Sequence, residues 1–282
     1  MVRGTTGKTR NRLLGGRVAA KPCPNLDDDR LCEPLNLVWM LDRSGKVTKR
    51  YGSCTCGRRF PPSDVPKDLP EVAVSHLADR VLPEPVLDEA AMAQVVRGLW
   101  PVGKESPWAR DGVVPVGQAV LHQATDFFDV AAPSVMDLAD RLLFTQEDAD
   151  GIGLAANQIG APVRALAHNM ARIAPPIMVN PTLLDSWDEW RYEEGCLSLH
   201  LEKSWAEVVR PKVVIVHADL LDFKQIVVQA DELFARVLQH ELDHLEGIEY
   251  VQRLTGPEAD RVYALMQAAG IDTETWLPPR PY

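Results

Sequence analysis

The residues best placed to do chemistry are His240-Glu241-Leu242-Asp243-His244, two histidines four apart with a glutamate beside the first. On a helix, side chains four apart leave one face about a turn from each other, so both imidazoles can hold one metal ion while Glu241 stands next to it. A bare match of five residues also arises in an amphipathic helix with two half-buried histidines, so a third ligand decides between the readings. Cys196 is the upstream candidate and the only cysteine after residue 56. Two imidazoles and a thiolate leave the fourth tetrahedral position open, the arrangement of a catalytic site and not of a closed structural one. Such an ion brings the pKa of bound water towards neutrality, and Glu241, adjacent but not a ligand, can carry the proton. The chemistry is metal-assisted amide hydrolysis. A metalloprotease of the His-Glu-x-x-His type is the alternative, but it needs a third ligand after His244. No histidine follows, and Glu249, Glu258 and Glu274 sit in no ligand motif.

The element that must carry these histidines is a helix from Asp231 to Gly247. Leu233, Phe234, Val237, Leu238, Leu242 and Leu245 recur at intervals of three and four, Asp231 and Glu232 suit the positive N-terminal end, and Gly247 suits the position just past the other end. Strands are expected at Val163–Leu166, at Ile177–Asn180 with Pro181 ending it, and at Val213–Val216 and Ile226–Val228, a hairpin that feeds the helix. Ser134 and Asp137 have capping-box spacing at the start of a helix that runs to about Thr145. The glycine-rich stretch Gly151 to Gly160 lacks the spacing of a phosphate loop. Strands before and around one central helix make an α+β architecture.

Upstream, Leu35–Leu41 and Lys46–Tyr51 read as a hairpin turning at Asp42–Gly45, and Val72–Leu82 and Pro85–Leu99 as two short helices. The organisation expected is a basic, disordered tail at 1–22, a small cysteine-containing hairpin module at 23–60, a linker with short helices at 61–112, and a catalytic domain at 113–282. Cys23, Cys32, Cys54 and Cys56 flank the hairpin and are candidates for a second, structural zinc site, although spacings of nine and two are not those of a zinc ribbon. The chain has 282 residues, 46% hydrophobic and 25% charged, with a formal net charge of −10. That balance gives no general basic surface for nucleic acid, and no apolar run is long enough to span a membrane. Five cysteines without a secretory hydrophobic segment point to a reducing compartment. The six basic and no acidic residues of Met1 to Lys21 also fit an organellar transit peptide or an arm that touches ribosomal RNA.

Three stretches, in this order, resemble the signature motifs of the peptide deformylases: Gly151-Ile-Gly-Leu-Ala-Ala-Asn-Gln158, Glu194-Gly-Cys-Leu-Ser198 and Gln239-His-Glu-Leu-Asp-His244. The resemblance covers roughly Val113 to Thr255. It implies antiparallel sheets around the metal-binding helix, with the N-terminal hairpin and short helices as an extension. It further implies removal of the formyl group from the N-terminal methionine of nascent polypeptides, in the bacterial cytoplasm, with iron(II) as the metal before zinc or another divalent ion. Cys196, His240 and His244 become the ligands and Glu241 the proton carrier. Gln158 and the backbone N–H of Leu197 become the oxyanion donors, and Gly153 and Leu154 let substrate backbone lie alongside as an added strand. A non-catalytic or altered-specificity relative is the alternative within the family. The chain departs from the motif after Leu199, where His200 replaces a common proline, and Lys203 is the nearest basic residue to a usual substrate-contacting arginine.

Overall fold

The structure, a computed structural model, describes residues 36–41, 47–53, 59–60, 71–77, 86–170 and 174–273. The strands are β1 (Asn36–Leu41), β2 (Val47–Ser53), β3 (Arg59–Phe60), β4 (Glu71–Leu77), β5 (Val86–Leu87), β6 (Phe127–Phe128), β7 (Gly153–Ala155), β8 (Ala165–His168), β9 (Ile177–Trp187), β10 (Trp190–Glu194), β11 (Ala206–Arg210), β12 (Val213–Asp219) and β13 (Gln225–Asp231). The helices are α1 (Glu89–Arg97), α2 (Ser134–Asp148), α3 (Glu232–Leu245) and α4 (Gly256–Ala268). The basic tail, the four N-terminal cysteines, the expected turn after Leu41 and the proline-rich linker lie outside the described residues.

Nine strands form one sheet in the order β3-β2-β1-β4-β13-β12-β9-β8-β7. Every neighbouring pair is antiparallel except β1 and β4. Strands β10 and β11 form a separate antiparallel ribbon, and β5 pairs with β6 in parallel. The α+β expectation holds. The hairpin of β12 and β13 is continuous from Val213↔Asp231 to Asp219↔Gln225, and along β13 Ile226, Val228 and Ala230 alternate into the core.

Helix α3 lies against this sheet. Phe234, Leu238 and Leu245 are at most 2% exposed and pack with Leu166, Met178, Val214, Val216, Ile226 and Val228. Each such side chain is worth about 1.5–3 kcal/mol of burial, so packing and not helix propensity fixes this short helix in place. A second core joins Leu138 and Leu142 of α2 to Leu154, Ile177, Val179 and Val113, and Met92 of α1 closes it. A third gathers Val208, Tyr250, Val262 and Met266 around Cys196 and Leu199.

Four local expectations are corrected. Glu71–Leu77 is a strand, not the start of a helix, parallel to β1 and antiparallel to β13. Its Glu-Val-Ala-Val-Ser-His-Leu sequence has two β-branched residues at period two, and the edge of β13 offers it a ladder. The next helix starts only at Glu89, where the Asp88 side chain accepts from Ala91 N, while Val86 and Leu87 pair with β6. Ser134 makes no capping box; its N–H and hydroxyl both donate to the Glu89 carboxylate, at 3.1 and 2.6 Å, so α1 caps α2. Pro181 does not end β9, which runs on to Trp187. The missing N–H is tolerated because the ladder to β12 is irregular there, passing from Val179↔Asp219 to Thr182↔His217.

Candidate metal centre

Cys196, His240 and His244 come together with their ligand atoms all within 4.8 Å of one another. Cys196 Sγ and His244 Nε2 are 3.3 Å apart, and the sulfur is buried. Helix α3 supplies both imidazoles, whose ring centroids are 5.0 Å apart. Cys196 follows β10, where a tight turn returns Leu199 N to Cys196 O. A tetrahedral ion with bonds of 2.0–2.3 Å places its donors roughly 3.5 Å apart, so this borderline-soft S and N set fits a divalent ion that keeps one position open.

Behind His240 lies a dense charge network. Nδ1 meets Glu194 Oε2 at 3.0 Å, which leaves Nε2 for the ion. Glu194 receives a two-pronged bond from Arg210, at 2.6 and 2.9 Å, and a further one from Arg236. Arg210 continues to Asp243 at 2.7 Å, and Arg253 holds Asp243 from the other side. Arg210 is 1% exposed. Burial alone would raise the Glu194 carboxyl, but Arg210 and His240 overrule it and hold it well below the usual range. His240 is raised well above 6.5, because hydrogen bonds to Cys196 and Glu194 outweigh the opposing burial. His244 is lowered well below 6.5 by burial and then by the charge of His240. Burial pushes the Cys196 thiol up.

Glu241 is 4% exposed and sits on the bare backbone of Gly153, where a Cβ would come 2.3 Å from Oε1. Only glycine leaves room for the carboxylate there. Burial raises the Glu241 carboxyl to about 7, so it can both take and give a proton near neutrality. Gln158, in the turn after β7, is fixed by Ala155 N donating to its Oε1 at 2.8 Å. Its Nε2 is thereby aimed at Ser198 Oγ, at 3.2 Å, and at Cys196 Sγ, at 3.5 Å. Leu197 is half-buried next to the cysteine, and a Cβ on Gly151 would come 2.8 Å from its side chain. Gly153 and Leu154 lie on β7, the end strand of the sheet.

The expected ligands, Glu241, Gln158, Leu197, Gly153 and Leu154 thus converge. Lys203 does not join them: its side chain is 76% exposed beside Glu202, and Arg261 holds its backbone carbonyl. Trp205, not a basic residue, lies on the backbone of Gly195, where a Cβ would meet its ring at 2.5 Å. Of the acids open to a metalloprotease, Glu249 stands behind His244 and Glu258 pairs on the surface with Arg261. Glu274 lies outside the described residues. Sequence reasoning missed the roles of Arg210, Arg236 and Glu194. Glu194 was legible in principle, since it sits in the cysteine motif and a ligating histidine requires a partner for its second nitrogen.

A model of the polypeptide deformylase family matches residues 111–260. Peptide deformylase of Agrobacterium fabrum is 41% identical over 148 residues, 51% of this chain and 86% of its own. That of Caulobacter vibrioides is 37% identical over 156 residues, 54% of this chain and 89% of its own. The crystal structure of a plant peptide deformylase superposes with a TM-score of 0.51 at 28% identity, covering 64% of this chain and all of the plant one. A peptide deformylase of Synechococcus elongatus, solved with actinonin, shares the fold at 24% identity with a TM-score of 0.53, over 71% of this chain and all of its own.

Proposed function

The chain belongs to the polypeptide deformylase family, and on that premise we propose which of its residues remove the N-formyl group from nascent polypeptides and release formate. The observation that carries the reading is the convergence of Cys196, His240 and His244 within 4.8 Å with Glu241 beside them. These three side chains hold the divalent metal ion, iron(II) first and zinc or another divalent ion second. Bound there, the ion would supply an acidified water and Lewis-acid polarisation of the formyl carbonyl. Glu241, seated on Gly153, takes the proton of the attacking water and hands it to the leaving amine. Gln158 Nε2 and the N–H of Leu197 donate to the carbonyl oxygen as negative charge grows on it. The substrate backbone lies along Gly153 and Leu154, extending the sheet at β7 by one strand. Because Lys203 is turned to solvent, side-chain preference beyond the methionine rests on other groups.

The site works in the bacterial cytoplasm, on formyl-methionyl chains as they leave the ribosome. Among the described residues no helix is long and apolar enough to cross a membrane. Every proposed catalytic residue lies within 113–282, and strands β1 to β4 continue the sheet of that region through β13; Cys23, Cys32, Cys54 and Cys56, the candidates for a structural zinc site, lie outside the described residues. Formate release from a formyl-methionyl tripeptide, run beside cleavage of the unformylated peptide, tests the reaction. Formate from the first and no cleavage of the second is expected. Peptide-bond cleavage without formate would replace deformylation with proteolysis.

A further inference from the structure

Each histidine of the cluster has a carboxylate behind it, and the two carboxylates are held in different ways. Glu194 serves His240 from inside its arginine clamp. His244 presents Nε2 to Cys196 Sγ at 3.3 Å, and its opposite nitrogen, Nδ1, faces Glu249 Oε2 at 3.7 Å. Both of these side chains are 1% exposed, and neither oxygen of Glu249 nor Nδ1 of His244 has a hydrogen-bond partner among the described residues.

The turn after α3 brings Glu249 there. Gly247 adopts φ +71° and presses against the backbone of His122 and Gln123, where a Cβ would come within 2.6 Å. Ile248 N then returns to Asp243 O, and Glu249 N donates to Gln252 Oε1 at 2.7 Å. The chain doubles back and seats the carboxylate behind a ring five residues earlier. The nearby side chains do little to justify a buried acid: only the His240 imidazole favours its charged form, Asp243 and Glu241 carry the same sign, and the arginines of the clamp are spent on Glu194 and Asp243. A leucine would fill the place without the cost of burying a charge. A compensating charge would come from the far side of the imidazole, where a divalent ion held by one thiolate would keep an uncancelled positive charge.

We propose that Glu249 is the positioning residue for His244: it accepts the Nδ1–H hydrogen bond, fixes the tautomer that presents Nε2 to the metal ion, and balances the ion's remaining charge. Both imidazoles would then be backed by a carboxylate, one built into the charge network and one dedicated to the metal. The proposal rests on reading Cys196, His240 and His244 as ligands, so the test must separate the two.

The test uses the full chain stripped of metal and reloaded with cobalt(II), whose dissociation constant is read by chelator competition and whose geometry is read from its visible absorption. Glu249→Leu is expected to weaken cobalt binding about 10–100-fold, without lowering the unfolding midpoint of the metal-free protein. Glu249→Gln, whose amide oxygen can still accept from Nδ1–H, should recover part of the affinity and show shifted d–d bands with the sulfur-to-cobalt band retained. Cobalt affinity within about twofold of wild type in both variants, with unchanged bands, overturns the proposal. If the leucine variant does not fold, the glutamine variant decides alone, by weakened binding and shifted bands against wild-type binding and bands. Cys196→Ala serves as the separate control. Undiminished cobalt binding there sinks the ligand reading itself, whereas loss there beside wild-type binding in the Glu249 variants sinks only the role of Glu249.

Discussion

The two flanks of helix α3 solve the problem of buried charge in opposite ways. On the His240 flank every ion has a counter-ion: Glu194 lies between Arg210 and Arg236, and Asp243 between Arg210 and Arg253. On the His244 flank Glu241 and Glu249 are as deeply buried but make no ion pair with an arginine among the described residues, and burial lifts them to about 7 and about 8. The first flank fixes protonation states and so fixes geometry. The second leaves the Glu241 proton free to move near neutral pH, which is what a proton carrier requires. One helix thus keeps its rigid side and its reactive side a single turn apart.

The largest expected effect falls on the reactive flank. Glu241→Gln should keep its metal and its stability yet lose about 10²–10⁴-fold in turnover, checked by metal analysis, urea unfolding and formate release on one preparation. Wild-type turnover, or lost metal, would erase the distinction between the flanks. On the rigid flank the signature is reversed. Arg210→Met strands Glu194 and Asp243 with one arginine each and should cost about 3–5 kcal/mol of stability in urea unfolding; a loss under about 1 kcal/mol would mean that Arg236 and Arg253 suffice. The smallest effect sharpens the contrast away from the centre. His168 is fully buried, its Nδ1 accepts from Met170 N at 3.1 Å, and burial lowers it to about 4. Because the folded value lies below the unfolded 6.5, the unfolded chain takes the proton first as pH falls. Stability that is complete above 6.5 should therefore drain away as pH falls to about 4, by on the order of 3 kcal/mol. The difference between wild type and His168→Gln across that range isolates the effect, and a flat difference would show that the site is not dry.

Helix α3 and the β12–β13 hairpin were legible because their apolar residues repeat at 3.6 and at 2 within one short window. The clustering of Cys196, His240 and His244 was legible because two of the three are fixed by spacing and the third is the only cysteine in the second half. What stayed hidden depends on partners far along the chain. Val72–Leu77 has enough apolar residues for either period, and the β13 edge, not the local sequence, makes it a strand. Glu89 rather than Asp137 caps α2 because α1 packs there, across 45 residues. No local pattern singles out Arg210, and only the fold places it between Glu194 and Asp243. Glu249 was weighed as a ligand and instead stands behind His244, since its position depends on the turn at Gly247.

The pairing of β4 with β13 also sets a clock. Strand β4 ends at Leu77, and the partner for its antiparallel edge begins at Gln225. About 150 residues separate them, which at the usual ~5–20 residues per second of synthesis is roughly 8 to 30 s. During that interval β1 can shield one edge of β4 while the other waits, a ready template for the wrong neighbour. When β13 does emerge, the next residues out of the ribosome are those of α3. The arrival that ends the exposure of the N-terminal strands is followed at once by the two histidines.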